Sequence, residues 1–301
     1  MYPRNALALS PLPIPPFQIA EEVTTSVLRN DAEAEVLEFL SQRPLHNVML
    51  IGFVIDNGLD SSLNRGTFYE CRNVAGELEG VALIGHVTLM ETRTDRALFK
   101  FAELAAQCTT THMIMGESSR VREFWGAYSN GRPKVRKACS EHLLELRFPM
   151  EVLPCLDGLR LATAADIELT LPVHAQMAFE ESGVSPLEID PVGFRARSLR
   201  RIEKNRTWVW IEDGQLLFKA DIISNTPEVV YLEGVWTNPT LRSMGFGRRC
   251  LSQLVMDLLA AKPHASVCVF ANEQNPDAIS FYQRSGFKSR GVYDTAFLNQ
   301  D

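Results

Sequence analysis

Closely spaced metal or disulfide pairs are missing from this sequence. Its six cysteines (Cys71, Cys108, Cys139, Cys155, Cys250 and Cys268) include no C-x-x-C pair, and its six histidines are scattered. This argues against a zinc site and a disulfide scaffold, and reads as reduced thiols in a cytosolic protein. Cys268, in an apolar run, reads as inert packing, and His174 as a partly exposed structural residue. Basic charge is also scarce. The formal net charge is −7, with no basic-aromatic stripe to offset it, so a nucleic-acid partner is not expected. No window reaches the roughly 18 apolar residues that a membrane span needs. The first stretch, with Pro3, Pro11, Pro13, Pro15 and Pro16, lacks the basic-then-apolar pattern of a signal peptide. Neither a G-K-[ST] ending nor an early G-x-G-x-x-G occurs, which argues against a P-loop or a dinucleotide-binding unit.

What is present is ordinary globular material. Hydrophobic residues make up 46% and charged residues 22% of 301 positions. That length fits two domains of about 150 residues each. A proline-marked junction over 147–158 divides the chain, giving a flexible proline-rich arm (1–30), a first domain (31–150) and a second (151–301). Hydrophobic periodicity in the second domain predicts a strand at 159–163, helices at 165–181 and 191–204, and a hairpin across Asp213-Gly214. A strand ending at Trp236, a helix, a strand at 266–270, a helix at 275–285 and a strand pair over 287–298 follow. The first domain repeats this cadence: helices at 32–40 and 46–57, strands at 67–73 and 77–88, a helix at 95–107, a strand at 112–115, a helix at 118–128 and a strand at 138–147.

Between the strand ending at Trp236 and the next helix lies Arg242-Ser243-Met244-Gly245-Phe246-Gly247. The helix is marked by the stripe Cys250, Leu251, Leu254, Val255, Leu258 and Leu259. Glycines at a helix N-terminus let an anion approach amides that have no intrahelical partner. Arg242, Arg248 and Arg249 crowd the same turn, where cations oppose the macrodipole by about 0.3–1 kcal/mol each unless an anion sits there. Taken alone, the loop reads either as a phosphate cradle or as a tight turn with a solvated basic face. At the equivalent place the first domain has Glu91-Thr92-Arg93-Thr94-Asp95, a poor cradle, so the anion site is assigned to the second domain only.

After the following strand comes N-x-x-A-x-x-F-Y-x-x-x-G-F, carried by Asn275, Ala278, Phe281, Tyr282, Gly286 and Phe287. This motif together with R-x-x-G-x-G resembles the two cofactor motifs of the GNAT N-acetyltransferase superfamily, over about residues 158–298. Through Glu180-Glu-Ser-Gly-Val-Ser-Pro186, Phe218-Lys-Ala220 and Gly234-Val-Trp-Thr-Asn-Pro239, the whole chain also resembles bacterial two-part members whose amino-terminal half is GNAT-like and uncharacterised. The resemblance implies an α/β fold with a mixed sheet and tandem GNAT-like domains, the first degenerate.

The resemblance further implies an acetyl-CoA-dependent transfer of acetyl to a primary amine, by direct attack in a ternary complex and without a metal. The pyrophosphate would rest on the loop after Arg242, on the amides of Met244, Gly245, Phe246, Gly247 and Arg248. The pantetheine arm would pair with the main chain of Val235, Trp236 and Thr237, where that strand splays from its neighbour. Asn272 is placed to hydrogen-bond the arm, and Asn275 belongs to the same cofactor motif. Tyr282 would protonate the departing thiolate. For the base, strand alternation puts Tyr231, Glu233, Val235 and Thr237 on one face, so Glu233 points toward the reacting end, or pairs with Arg242. Glu180 and Glu181 stand in reserve. The acceptor is left open as a small molecule or a peptide, and so is the oligomeric state. The rival is a non-enzymatic module that binds acyl-CoA or scaffolds a partner.

Overall fold

The computed structural model describes residues 22–129, 135–148 and 150–299. The expected flexible arm lies outside these residues as far as position 21, but part of its end is ordered, because Thr24–Val27 forms a strand, β1. Two helices follow, α1 (Glu33–Ser41) and α2 (Val48–Asn57), then strands β2 (Gly66–Arg72), β3 (Leu78–Gly85) and β4 (Val87–Thr92). The single strand expected over 77–88 is thus two. The chain pivots at His86, just after Gly85, and the His86 amide donates to the Arg65 carbonyl at 2.9 Å. Helix α3 (Asp95–Ala105), β5 (Met113–Glu117), α4 (Ser118–Tyr128) and β6 (Val135–Leu146) complete this stretch. Ala97, Leu98, Phe101, Ala102 and Ala105 recur at helical spacing on α3 and bury against Phe124, Trp125 and Tyr128 of α4.

The second stretch runs β7 (Leu159–Leu161), α5 (Ile167–Ser182), α6 (Pro186–Ile189), α7 (Pro191–Glu203), β8 (Thr207–Glu212), β9 (Gln215–Asn225) and β10 (Val229–Thr237). Then come α8 (Phe246–Ala261), β11 (Ser266–Asn272), α9 (Pro276–Arg284) and β12 (Lys288–Leu298). Two differences from the periodicity reading appear. Residues expected to be loop form the short α6, opened by Pro186 at its first position, where a missing N–H costs nothing. The strand pair expected over 287–298 is one unbroken strand.

The chain divides into two compact units. One holds the residues up to His142, with Asn272–Gln274 and those from Gly291 onward; the other holds Leu143–Ala271 and Asn275–Arg290. The division falls inside β6, ahead of the proline-marked junction. The first unit orders its strands β1-β2-β3-β4-β5-β12-β6, and the second β6-β11-β10-β9-β8-β7. In the first, Tyr293–Phe297 of β12 pairs antiparallel with Glu117–Met113 of β5. In the second, α8 buries Cys250, Leu251, Leu254, Val255 and Leu259 beside Val230, Leu232, Val267 and Val269. Each leucine and valine among them contributes about 1.5–3 kcal/mol on burial. A separate cluster gathers Ile167, Leu171 and Ala175 of α5 with Phe194 and Ile202 of α7 on Val209 of β8.

Candidate active site

The second unit's sheet opens at one place. Strand β10 pairs parallel with β11 only over Val229–Tyr231 against Ser266–Cys268, although the strands run on to Thr237 and Asn272. Among the described residues, the rest of β10 therefore has no strand on that edge. The pairing of β10 with β9 is irregular at two places: between Tyr231 and Leu232, where the pairing with β11 also ends, and in a bulge where Glu233 faces Asp221 and Trp236 faces Lys219, so that β10 has one residue more than β9 across that span. A bulge bends its strand and increases its twist. Gly234 makes this one possible, with φ of 60°. A Cβ there would also lie 2.9 Å from Lys219 Nζ and 3.0 Å from Asp221 Oδ2.

The bulge also overturns the alternation expected for β10. Val235 packs with Val230 and Leu232 in the cluster under α8, whereas Trp236 packs against the cluster of α5 and α7. Glu233 and Val235 therefore do not share a face, because the extra residue shifts the two-residue period by one.

Beyond β10 the loop reaches α8 through left-handed residues, Ser243 at φ 64° and Gly245 at φ 84°. Gly245 is the N-cap, so no side chain caps the first amides of α8. A Cβ on Gly245 would meet nothing within 4 Å, and Met244 beside it is 63% exposed. Gly247 serves packing instead: a Cβ there would lie 2.6 Å from Thr237 Oγ1. Phe246 rests on Trp210, centroids 5.4 Å apart. The arginines are tied down locally. Arg242 Nε donates to the Thr237 carbonyl at 3.2 Å, Arg248 pairs with Glu151 at 3.0 Å, and Arg249 donates to the carbonyls of Pro154 and Cys155. In the first unit, β4 and β5 likewise pair only over Val87–Thr88 and Met113–Ile114, but there the Thr94 hydroxyl accepts from the Ala97 amide and caps α3. Arg120 fills the same turn, reaching Thr92, the Thr94 carbonyl and Asp95.

Tyr282, on α9, is buried edge-on between Phe281 and Phe287. Burial pushes its phenol above the usual tyrosine range, and the Glu233 carboxylate pushes the same way, so these two groups sense each other. Glu233 is exposed to solvent, with ionisable groups crowding its inner side. Its carboxyl is raised chiefly by burial and further by Asp221, against the lowering pull of Arg201, Lys219 and a hydrogen bond with Tyr231. The cations near Glu233 are thus Arg201 and Lys219, and not Arg242, which turns to Thr237.

The two asparagines are used structurally. Asn275 Oδ1 accepts from the Ala278 amide at 3.0 Å and caps α9. Asn272 groups with the first unit, where its Oδ1 accepts from the Gln274 amide at 2.8 Å. Glu180, at the exposed end of α5, accepts from Gln176 at 2.9 Å. His174 stacks against Phe194 with centroids 4.6 Å apart, and burial lowers its pKa to about 3. Asp221 and Arg201 were missed by the sequence reading, and Lys219 entered it only within the Phe218–Ala220 segment, with no role in the site. The available signal was a lysine and an aspartate two apart on an otherwise apolar strand, which puts both on one face.

Among the described residues no group of three or more His, Cys, Asp or Glu can hold a metal ion, and no helix is long and apolar enough to cross a membrane.

Residues 175–287 match the model of the Acetyltransferase (GNAT) family. No curated protein sequence matches the chain. Among solved structures, an acetyltransferase from the GNAT family of Colwellia psychrerythraea aligns at 11% identity with a TM-score of 0.59, covering 92% of this chain and 100% of that one. A Drosophila protein aligns at 13% identity with a TM-score of 0.66, over 92% of this chain and 99% of its own. A tandem GNAT protein from the clavulanic acid biosynthesis pathway aligns at 13% identity with a TM-score of 0.56, over 93% and 100%. These likenesses establish the fold, a mixed α/β architecture of the tandem GNAT kind.

Proposed function

We propose, on the premise that residues 175–287 belong to the acetyltransferase (GNAT) family, that the second unit transfers acetyl from acetyl-CoA to a primary amine by direct attack in a ternary complex. The observation that carries this reading is the parting of β10 from β11 just ahead of the uncapped start of α8. The first amides of α8 have no intrahelical acceptor and the helix dipole favours an anion, which suits a pyrophosphate on Met244 to Arg248. The open edge of β10 at Val235, Trp236 and Thr237 offers main-chain donors and acceptors that an extended amide chain satisfies as an added strand would.

When bound, acetyl-CoA supplies the acyl group as a thioester. Glu233 then takes a proton from the attacking ammonium, directly or through a water, and its raised pKa makes it a better acceptor than an ordinary carboxylate. The sign follows: the base works only when ionised, so turnover rises with pH through a midpoint above the ordinary carboxylate range. Tyr282 stays protonated at neutral pH and holds the proton that its hydroxyl gives to the departing sulfur. The cysteines beside the site are poor nucleophiles, since burial pushes the Cys250 thiol up to about 12 and raises Cys268 as well. This favours direct attack over an acyl-enzyme.

The test is thiol release from acetyl-CoA across a panel of amines, paired with a calorimetric measure of acetyl-CoA binding. Tyr282→Phe is expected to lower turnover by about 10²–10⁴-fold, as loss of a general acid does, with binding little changed. Binding without turnover on any amine would instead identify a non-enzymatic acyl-CoA module, and unchanged turnover in the Tyr282 variant would remove that residue from the chemistry.

A further inference from the structure

Behind β10 stands a set of charges that the transfer reaction does not use directly. Glu233 lies opposite Asp221 in the pairing of β10 with β9, and like charges so placed repel. Asp221, 2% exposed, accepts from Thr207 Oγ1 at 2.7 Å and from Lys219 Nζ, and pairs with Arg201 at 3.3 Å. Lys219, 1% exposed, also donates to the Gly234 carbonyl in the bulge at 3.4 Å. Arg201 Nη1 lies 3.4 Å from His174 Nε2; a guanidinium only donates, so Nε2 accepts and Nδ1–H donates to Ser198 Oγ at 3.1 Å. His174 therefore adds no charge at neutral pH. With both carboxylates ionised, two cations balance two anions.

We propose that the buried cluster Arg201–Asp221–Lys219 is a positioning device for Glu233: Lys219 anchors the bulged peptide next to it, and the balance of the two cations against Asp221 sets how readily its carboxylate takes up and returns a proton. The groups facing Glu233 are Tyr231 on its own strand, Asp221 and Lys219 on β9, Arg201 on α7 and Tyr282 on α9. A proton gained by Glu233 leaves the cluster with a net positive charge, which favours release of that proton and readies the carboxylate for another turnover. A purely structural ion pair predicts nothing of the kind. The catalytic consequence rests on Glu233 being the base; the electrostatic statement does not.

The experiment is a carboxyl-carbon NMR titration of the full chain, with Glu233 identified by the loss of its signal in Glu233→Gln. Arg201→Gln removes a cation and is expected to raise the Glu233 midpoint by about one pH unit, whereas Asp221→Asn removes an anion and lowers it by a similar amount. Arg201→Lys returns the midpoint toward the parent value. Equal or same-direction midpoints in the two neutralising variants overturn the proposal. Should Asp221→Asn fail to fold, the pair Arg201→Gln and Arg201→Lys decides alone, because the Arg201 side chain, with 22% of its surface exposed, is the less buried partner. The pH profile of turnover separates the two readings. If the NMR midpoints move as stated while the acid limb stays fixed, the cluster tunes Glu233 as proposed and Glu233 is not the base.

Discussion

Thr237 and Gly247 meet where β10 ends and α8 begins, and their contact fixes how near the strand comes to the helix's first amides. An added methyl on Gly247 would press on Thr237 Oγ1, and overpacking of this kind costs about 1–3 kcal/mol. Gly247→Ala is expected to weaken acetyl-CoA binding about tenfold, equivalent to ~1.4 kcal/mol. Adding Thr237→Ala removes the obstructing oxygen, so calorimetry on the double variant should recover most of the loss. Failure to recover would show that Gly247 acts by some route other than this contact. Residues of this kind were legible beforehand because R-x-x-G-x-G is a local pattern, and so was Tyr282 in its motif. Lys219 was not. A lysine on a strand is ordinarily solvated, and only the cover on both sides of β9 leaves this one 1% exposed and in need of Asp221.

At the scale of elements, the helices were read well where a stripe is long. The expected stripe on α8 is buried at Cys250, Leu251, Leu254, Val255 and Leu259 and half-buried at Leu258, and α4 has the bounds that its periodicity predicted, Ser118–Tyr128. Strands were harder, since a two-residue period carries no memory of a bulge. The bulge at Gly234 reverses the facing of Val235 and Trp236, in the stretch of β10 beyond its pairing with β11. Gly234→Ala puts a Cβ on a left-handed residue, a cost of about 1–2 kcal/mol, and drives it against Lys219 and Asp221. A lower denaturant midpoint and weaker acetyl-CoA binding are the expected outcome. A stable variant that binds normally would show that the bulge is not what opens the sheet.

For the chain as a whole, the segment from Gly291 onward supplies β12 to the first unit, where Ala296 and Leu298 join its core. Truncation after Arg290 strips β5 of an antiparallel partner and opens that core. Such a chain should lose the first unit's cooperative unfolding transition in calorimetry, and a fragment ending at residue 150 should fail to fold for the same reason. A fragment 1–150 with dispersed native-like amide resonances would contradict this.

What the sequence determined by itself was the material of local order: amphipathic stripes, the Asp213-Gly214 hairpin, the glycine-rich helix entry and Tyr282 three residues before Ser285-Gly286. Each depends on neighbours within a turn or two, where spacing fixes facing. The tertiary structure decided the rest, because burial and pairing join distant residues. It brought Lys219 and Asp221 of β9 and Arg201 of α7 beside Glu233, and it gave the last strand to the first unit. It also left the β10 edge open, since a strand's pairing depends on its neighbour's path as much as on its own residues.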